Sequence, residues 1–133
     1  MLHTFKAFLL ISMLVMLSFS HADVSNPRFL AVSFHADWCS SCKALAPKIS
    51  KARTKAHLDQ TDVLFVKLDL TDENTSYQAG MLAESLGLGE LLKHNNGKTG
   101  YITVVEASTG IILSKITKNA TVDEMVVLLD LDK

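Results

Sequence analysis

The sequence predicts an α/β fold built round a small mixed β-sheet, with its elements in the order β-α-β-α-β-β-α. Three observations lead to this prediction. Two apolar runs of strand length are separated by a stretch with helical spacing. Two further β runs lie close together and predict a hairpin. A capped helical pattern ends the chain, which completes an α/β layer arrangement.

Strand and helix alternate in the first part of the predicted domain. The run FLAVSF at residues 29–34 is continuous and apolar, the pattern of a strand buried on both faces. From Cys39 to about His57 the apolar residues fall on one helical face. Pro47 lies inside this helix and is expected to kink it. The run VLFVKLDL at residues 63–70 predicts a second buried strand.

The second part continues with a helix, a connection, a hairpin and a last helix. The helix is predicted over about residues 76–86, and residues 87–100 predict a loop or a short helix. The β runs YITVVEA and IILSKI are joined by a turn at residues 108–110. The last helix begins at Thr121, and Glu124 three residues later completes a capping box.

The first 22 residues predict a signal peptide that is cleaved near Ala22, which leaves residues 23–133 as one domain. A short positive region with Lys6 precedes an apolar stretch at residues 7–19, and small residues stand where a signal peptidase reads. An uncleaved anchor is the alternative, although the stretch is shorter than the ~20 residues of a membrane-spanning helix. The mature protein is therefore expected to be secreted.

The charge balance excludes two classes of partner. The formal net charge is −1, and cleavage of the leader would remove Lys6 and no acidic residue. This composition gives no electrostatic footprint for nucleic acid or for an anionic membrane. A domain of this size can bury a core without disulfide staples. The two cysteines of the chain are therefore available for another purpose.

These cysteines, Cys39 and Cys42, allow three interpretations. A structural disulfide across two intervening residues would constrain little of the unfolded chain. Zinc needs about four ligands, whereas His35 lies on a predicted buried strand and His57 and His94 are isolated in the sequence. A two-coordinate soft metal such as copper(I) is an alternative. The third interpretation is a redox-active dithiol.

The position of the pair favours the redox interpretation. Cys39 stands where a strand gives way to a helix, so its sulfur should lie at the helix N-terminus. Unpaired backbone N–H groups and the helix dipole favour an anion there, and therefore a thiolate. Cys42 lies one helical turn further along and should be more buried. This asymmetry separates an attacking thiol from a resolving thiol.

The stretches ADWCSSCK and LAPKI, with the proline after the CxxC, resemble the thioredoxin superfamily. VLFVKLDLTDEN resembles the family's next strand, and the resemblance covers about residues 29–131. It implies a four-stranded mixed sheet with helices on both faces. These stretches are most similar to the periplasmic C-terminal domain of disulfide-interchange reductases of the DsbD type and to secreted thioredoxin-like proteins. A periplasmic or otherwise secreted location is therefore implied.

The resemblance also implies an activity and a set of site residues. Cys39 would be the nucleophile and Cys42 the resolving thiol, with Trp38 flanking the site and shielding the disulfide. The protein would act as a monomer that reduces disulfides in a partner protein and is itself reduced by a membrane or soluble thiol donor. No cofactor, metal or nucleic acid is implied. Asp37 is the nearest carboxylate in sequence; its charge would oppose a thiolate, and a solvated loop acid or helix cap is the alternative role.

Two positions depart from the family pattern. Ser33 stands where many thioredoxins carry a buried Asp, and Lys67 stands where that Asp has a lysine partner, which here is free to reach the surface. The family's cis-proline position falls on Ile102, followed by Thr103, so both are candidate site-flanking residues. A trans bond is expected before Ile102, because a cis bond before a residue other than proline costs ~3–4 kcal/mol. A binding module of the same fold without turnover is therefore the alternative function.

Overall fold

The computed structural model describes residues 26–57 and 62–130, and the predicted signal peptide at residues 1–22 lies outside these ranges. The described ranges contain β1 (Phe29–His35), α1 (Ser40–Lys55), β2 (Val63–Asp69), α2 (Glu73–Ser85), α3 (Gly89–Asn95), β3 (Tyr101–Glu106), β4 (Ile112–Thr117) and α4 (Val122–Leu129). The predicted order is confirmed, and α3 is the short helix allowed for in the connection before the hairpin.

The four strands form one mixed sheet in the order β2-β1-β3-β4. β1 runs parallel to β2 and antiparallel to β3, and β3 and β4 form the predicted hairpin. β1 therefore has a neighbour on each side, and its continuous apolar sequence reflects the burial of both of its faces under helices. Its C-terminal end leads directly to the two cysteines.

Helices cover both faces of the sheet, as the resemblance implied. Alternate residues of a strand point to opposite faces, so Ala31 and Val32 of β1 belong to different clusters. On one face α1 and α4 pack through Leu45, Ala52, Met125 and Leu129. On the other face α2 and the start of α3 pack through Ala79, Ala83 and Leu88. The first of these faces carries the cysteines, because α1 begins there.

Capping boxes define the starts of two helices. The predicted box at Thr121 is present, with the Thr121 side chain accepting from the Glu124 N–H and Glu124 accepting in return. α2 begins earlier than the sequence predicted, because the Asp72 side chain accepts from the backbone N–H of Thr75 and forms a second box. Within the described ranges, no helix has the length and apolar character needed to cross a membrane.

Candidate active site

Cys39 and Cys42 form a disulfide at the N-terminus of α1, with their Cα atoms 5.3 Å apart. Cys39 is the N-cap of the helix: its backbone is extended, and its Sγ accepts a hydrogen bond from the Cys42 N–H at 3.1 Å. Ser, Thr, Asp and Asn fill this position in most helices, because their side chains accept from the first free N–H groups. A sulfur in the same place receives the same donor, which stabilises a thiolate in the reduced state.

Both sulfur-bearing residues are almost covered by the protein. Cys39 is 7% exposed and Cys42 is 4% exposed. Cys42 Sγ lies 3.7 Å from the carbonyl oxygen of Phe34 in β1, so a reduced Cys42 thiol can donate to that oxygen. Together with the fully buried Ala36, the two cysteines form a small cluster of their own. A partner can therefore reach the disulfide only at its outer edge.

Gly100, which the sequence reasoning missed, lies directly against this disulfide. Its backbone N–H donates to the Phe34 carbonyl oxygen at 2.9 Å, and its φ is +89°, a conformation that favours glycine. A Cβ at this position would lie 3.2 Å from Cys39 Sγ and 2.7 Å from the Cβ of Ser41. The glycine immediately before the β run YITVVEA was the signal in the sequence that could have identified it.

Ile102 and Thr103 lie on opposite faces of β3. The buried Ile102 side chain belongs to the core under α1 and lines a cavity together with Cys42. Thr103 faces the other way, toward Asn95 at the end of α3, so the structure does not bring it to the cysteines. The bond before Ile102 is trans, and the described ranges contain no cis peptide bond.

Trp38 and Asp37 are held by one residue of the loop after β2. The Trp38 indole N–H donates to the Thr71 carbonyl oxygen at 3.1 Å, and the Asp37 backbone N–H donates to Thr71 Oγ1 at 3.0 Å. Trp38 is 63% exposed, so it forms an apolar surface next to the disulfide. The exposed Asp37 carboxylate lies 3.2 Å from Nε2 of His35, the last residue of β1.

Asp69 at the end of β2 fixes that loop. Partial burial disfavours its carboxylate, but hydrogen bonds from the Thr71 hydroxyl, Lys67 and the Thr71 backbone N–H outweigh this effect and lower the pKa of Asp69 to about 2. The Lys67 side chain is half exposed, so it reaches the surface as expected. Its Nζ lies 3.0 Å from Asp69 Oδ2, so it pairs with Asp69 in place of the family's buried Asp. Asp69 thus supports Thr71, which in turn holds Trp38.

We expect Asp69→Asn to cost about 2 kcal/mol of unfolding free energy at neutral pH, since a one-unit pKa shift corresponds to ~1.4 kcal/mol. The folded pKa lies below the unfolded one, so this stabilisation is complete above about pH 5 and is lost as the pH falls toward about 2. Urea unfolding at several pH values measures it. The matched control is Asp62→Asn, an exposed acid at the other end of β2, for which we expect a change within about 0.5 kcal/mol. A difference between wild type and Asp69→Asn that stays constant down to pH 2 would contradict this account.

Within the described residues, no group of three or more His, Cys, Asp or Glu side chains is arranged to hold a metal ion. The site therefore consists of the disulfide, the Gly100 backbone beside it, the Trp38 surface held by Thr71, and the cavity behind Cys42. Four of the site residues predicted from the sequence lie between positions 37 and 42 of the chain: Asp37, Trp38, Cys39 and Cys42.

Comparisons with known proteins agree with this geometry. The thioredoxin family model matches residues 13–86. A protein disulfide-isomerase from Oryctolagus cuniculus is 38% identical over 52 residues, covering 39% of this chain and 10% of that protein. Chloroplastic thioredoxin F from Oryza sativa subsp. japonica is 36% identical over 64 residues, covering 48% of this chain and 29% of that protein. The chain thus spans only a small part of these relatives.

A solved structure shares the fold. The crystal structure of Trxlp from Edwardsiella tarda EIB202 superposes with a TM-score of 0.50 at 14% identity, covering 77% of this chain and 82% of that one. The family match begins at residue 13, inside the predicted signal peptide, whose cleavage stays a prediction. The match includes both cysteines, Trp38 and the β2 loop that holds it, and it extends over more than half of the chain. On this evidence the chain belongs to the thioredoxin family.

Proposed function

We propose that this protein is a thiol–disulfide oxidoreductase that reduces disulfide bonds in partner proteins through Cys39 and Cys42. The observation that carries the proposal is the disulfide between the N-cap of α1 and a residue one turn inside that helix. Relatives named as protein disulfide-isomerases and as a thioredoxin support the same class of chemistry.

The reaction follows from the positions of the two sulfurs. In the reduced protein, the Cys42 N–H and the N-terminus of α1 stabilise the Cys39 thiolate. This thiolate attacks a partner disulfide, forming a mixed disulfide and releasing one partner thiolate. Cys42, which is already at bonding distance from Cys39 in the oxidised protein, then attacks Cys39 Sγ and releases the second partner sulfur. The partner gains two electrons and the protein returns to the observed disulfide.

The partner chain approaches over Trp38. Gly100 is buried against Cys39 Sγ and Ser41, where even one added carbon atom would collide, so this side of the disulfide is closed to a partner. Trp38 offers a rigid, largely exposed aromatic surface on the same loop as Cys39. A disulfide-containing protein is therefore the class of substrate that fits the site.

The direction of electron flow and the location follow the resemblance stated above. The protein acts as a reductant in the periplasm or another secreted compartment, as a monomer, and a membrane or soluble thiol donor regenerates its dithiol. The apolar stretch at residues 7–19 supports export. Asp37 stands two residues before the attacking cysteine, and its negative charge would disfavour a thiolate there. A strong oxidant stabilises its reduced thiolate, so this acid supports a reductant.

Catalysed reduction of insulin tests the proposal. With dithiothreitol as electron source, the protein lacking residues 1–22 should accelerate reduction of the insulin disulfides well above the rate with dithiothreitol alone. A protein that forms its own disulfide but gives no acceleration would instead support a binding module with a thioredoxin fold. Such a module would still retain partner proteins or copper(I) and would lose them on exchange of the cysteines for serine.

A further inference from the structure

The resolving step requires a proton acceptor for the Cys42 thiol, and neither cysteine can serve as that acceptor. Cys42 must lose its proton before it can attack, because the thiolate is the nucleophile. Its residue is 4% exposed, and its sulfur lies 3.7 Å from the carbonyl oxygen of Phe34. A carbonyl oxygen accepts a hydrogen bond from a thiol but does not carry the proton away. A base therefore has to be reachable from Cys42.

A cavity of about 350 Å³ connects Cys42 with such a base. It lies between α1 and the sheet, and Cys42 lines its helix side while Ser33 and His35 of β1 line its sheet side. Ser33 and His35 share this side because alternate residues of a strand face the same way. The cavity is much larger than the ~30 Å³ that one water occupies, and its polar groups can bind water. Water in this cavity, which we name the Cys42 cavity, can carry a proton between Cys42 and His35.

The partner of His35 determines which ring nitrogen can accept that proton. His35 Nε2 lies 3.2 Å from Asp37 Oδ1, and a carboxylate only accepts hydrogen bonds. Nε2 therefore carries the hydrogen, which leaves Nδ1 as the basic nitrogen of the neutral ring. The carboxylate also stabilises the imidazolium that forms when Nδ1 takes up a proton. His35 is 21% exposed, so the proton can afterwards pass to solvent.

The other titratable groups around the cavity are poor acceptors. Lys67 of β2 and Arg53 of α1 line it and are cations. Tyr101 of β3 also lines it, and burial raises the pKa of its phenol, so it stays neutral. Asp69 of β2 pairs with His35 of β1, but its carboxylate already accepts hydrogen bonds from Lys67 and Thr71. Among the described residues that line the cavity, His35 is thus the side chain with a nitrogen lone pair available for a proton.

We propose that His35, oriented by Asp37, is the proton acceptor for Cys42 in the resolving step. This inference rests on the proposed function. The Cys42 S–H bond breaks and its proton passes through cavity water to His35 Nδ1. The Cys42 thiolate attacks Cys39 Sγ, the Cys39–Cys42 bond forms, and the bond from Cys39 to the partner sulfur breaks. The electron pair leaves on the partner sulfur, which is protonated by the imidazolium or by solvent.

Stopped-flow reaction of the reduced protein with dithiobis(nitrobenzoate) separates the two steps. Attack by Cys39 releases one coloured thiolate, and resolution by Cys42 releases a second one. We expect His35→Gln to leave the first release unchanged and to slow the second by about 100-fold, the lower end of what general acid–base catalysis contributes. The pH profile of the second release should also change, because the variant lacks the ionisable imidazole. His94→Gln, an exposed histidine on α3, is the matched control and should change neither release.

Each result has a distinct meaning. A His35→Gln protein whose second release keeps the wild-type rate and pH profile would overturn the role of His35. If that variant also loses the first release, its fold is damaged, and Asp37→Asn then provides the test. This second variant keeps the imidazole but removes the partner that fixes its tautomer, so a wild-type second release in it would again overturn the proposal. A wild-type protein that never gives the second release would refute the proposed function itself.

Discussion

Cys39→Ser is expected to abolish disulfide reduction, lowering the turnover of insulin at least about 1,000-fold, because it removes the nucleophile of the first step. Cys42→Ser also replaces a sulfur by an oxygen, but this variant should behave differently. Its Cys39 can still attack, but nothing resolves the product. We therefore expect this variant to accumulate a covalent mixed disulfide with its partner while its turnover is equally low.

Non-reducing electrophoresis and mass spectrometry of the trapped species measure this difference. The two variants serve as controls for each other, since both lose the same disulfide and any effect on stability should be similar. Trapping by Cys42→Ser together with none by Cys39→Ser would confirm the assignment of nucleophile and resolving thiol. Trapping by Cys39→Ser would reverse the assignment and would contradict the helix N-terminus as the source of the reactive thiolate.

Gly100→Ala should produce the second large effect, on activity and stability together. The added Cβ would lie 2.7 Å from the Ser41 Cβ and 3.2 Å from Cys39 Sγ, and the backbone has a φ of +89°. Backbone strain and overpacking together are expected to lower the unfolding free energy by about 2–4 kcal/mol. The methyl group would also press on Cys39 Sγ and displace it. We expect insulin reduction to fall about tenfold or more, since a small misplacement at a reacting centre is costly.

Gly110→Ala is the matched control for this substitution. Gly110 lies in the hairpin turn with a φ of +71°, and a Cβ there would have no atom within 4 Å. It therefore carries similar backbone strain without the contact, and we expect a loss of about 1–2 kcal/mol with unchanged turnover. Urea unfolding and the insulin assay measure both variants. Equal loss of activity in the two would contradict a specific role for Gly100 at the disulfide.

The elements and the cysteine site were predictable because their signals are local. β1 is a continuous apolar run, and the pair Cys39 and Cys42 stands at the change from strand to helix spacing. The capping box at Thr121 involves residues three positions apart, so it was also readable from the sequence. Each of these features depends on residues that are neighbours in the chain.

The features that the sequence analysis missed depend on contacts between distant segments. Gly100 meets Cys39 because β3 pairs with β1 and the Gly100 N–H bonds to the Phe34 carbonyl oxygen at the end of that pairing. The bonds from Trp38 and Asp37 to Thr71 join residues more than thirty positions apart. Which face of the sheet α1 covers also depends on packing between distant segments, and this packing places His35 on the side of α1 and Thr103 on the other side.

The redox equilibrium of the Cys39–Cys42 pair shows whether this protein is a reducing dithiol. Protein lacking residues 1–22 would be equilibrated with glutathione redox buffers, alkylated and analysed by mass spectrometry. We expect a reversible transition between a protein with two alkylated cysteines and one with none, at a potential near or below the value of about −270 mV known for thioredoxin. A transition above about −150 mV would contradict a reducing protein, and a pair that forms no disulfide at any potential would contradict the dithiol mechanism altogether.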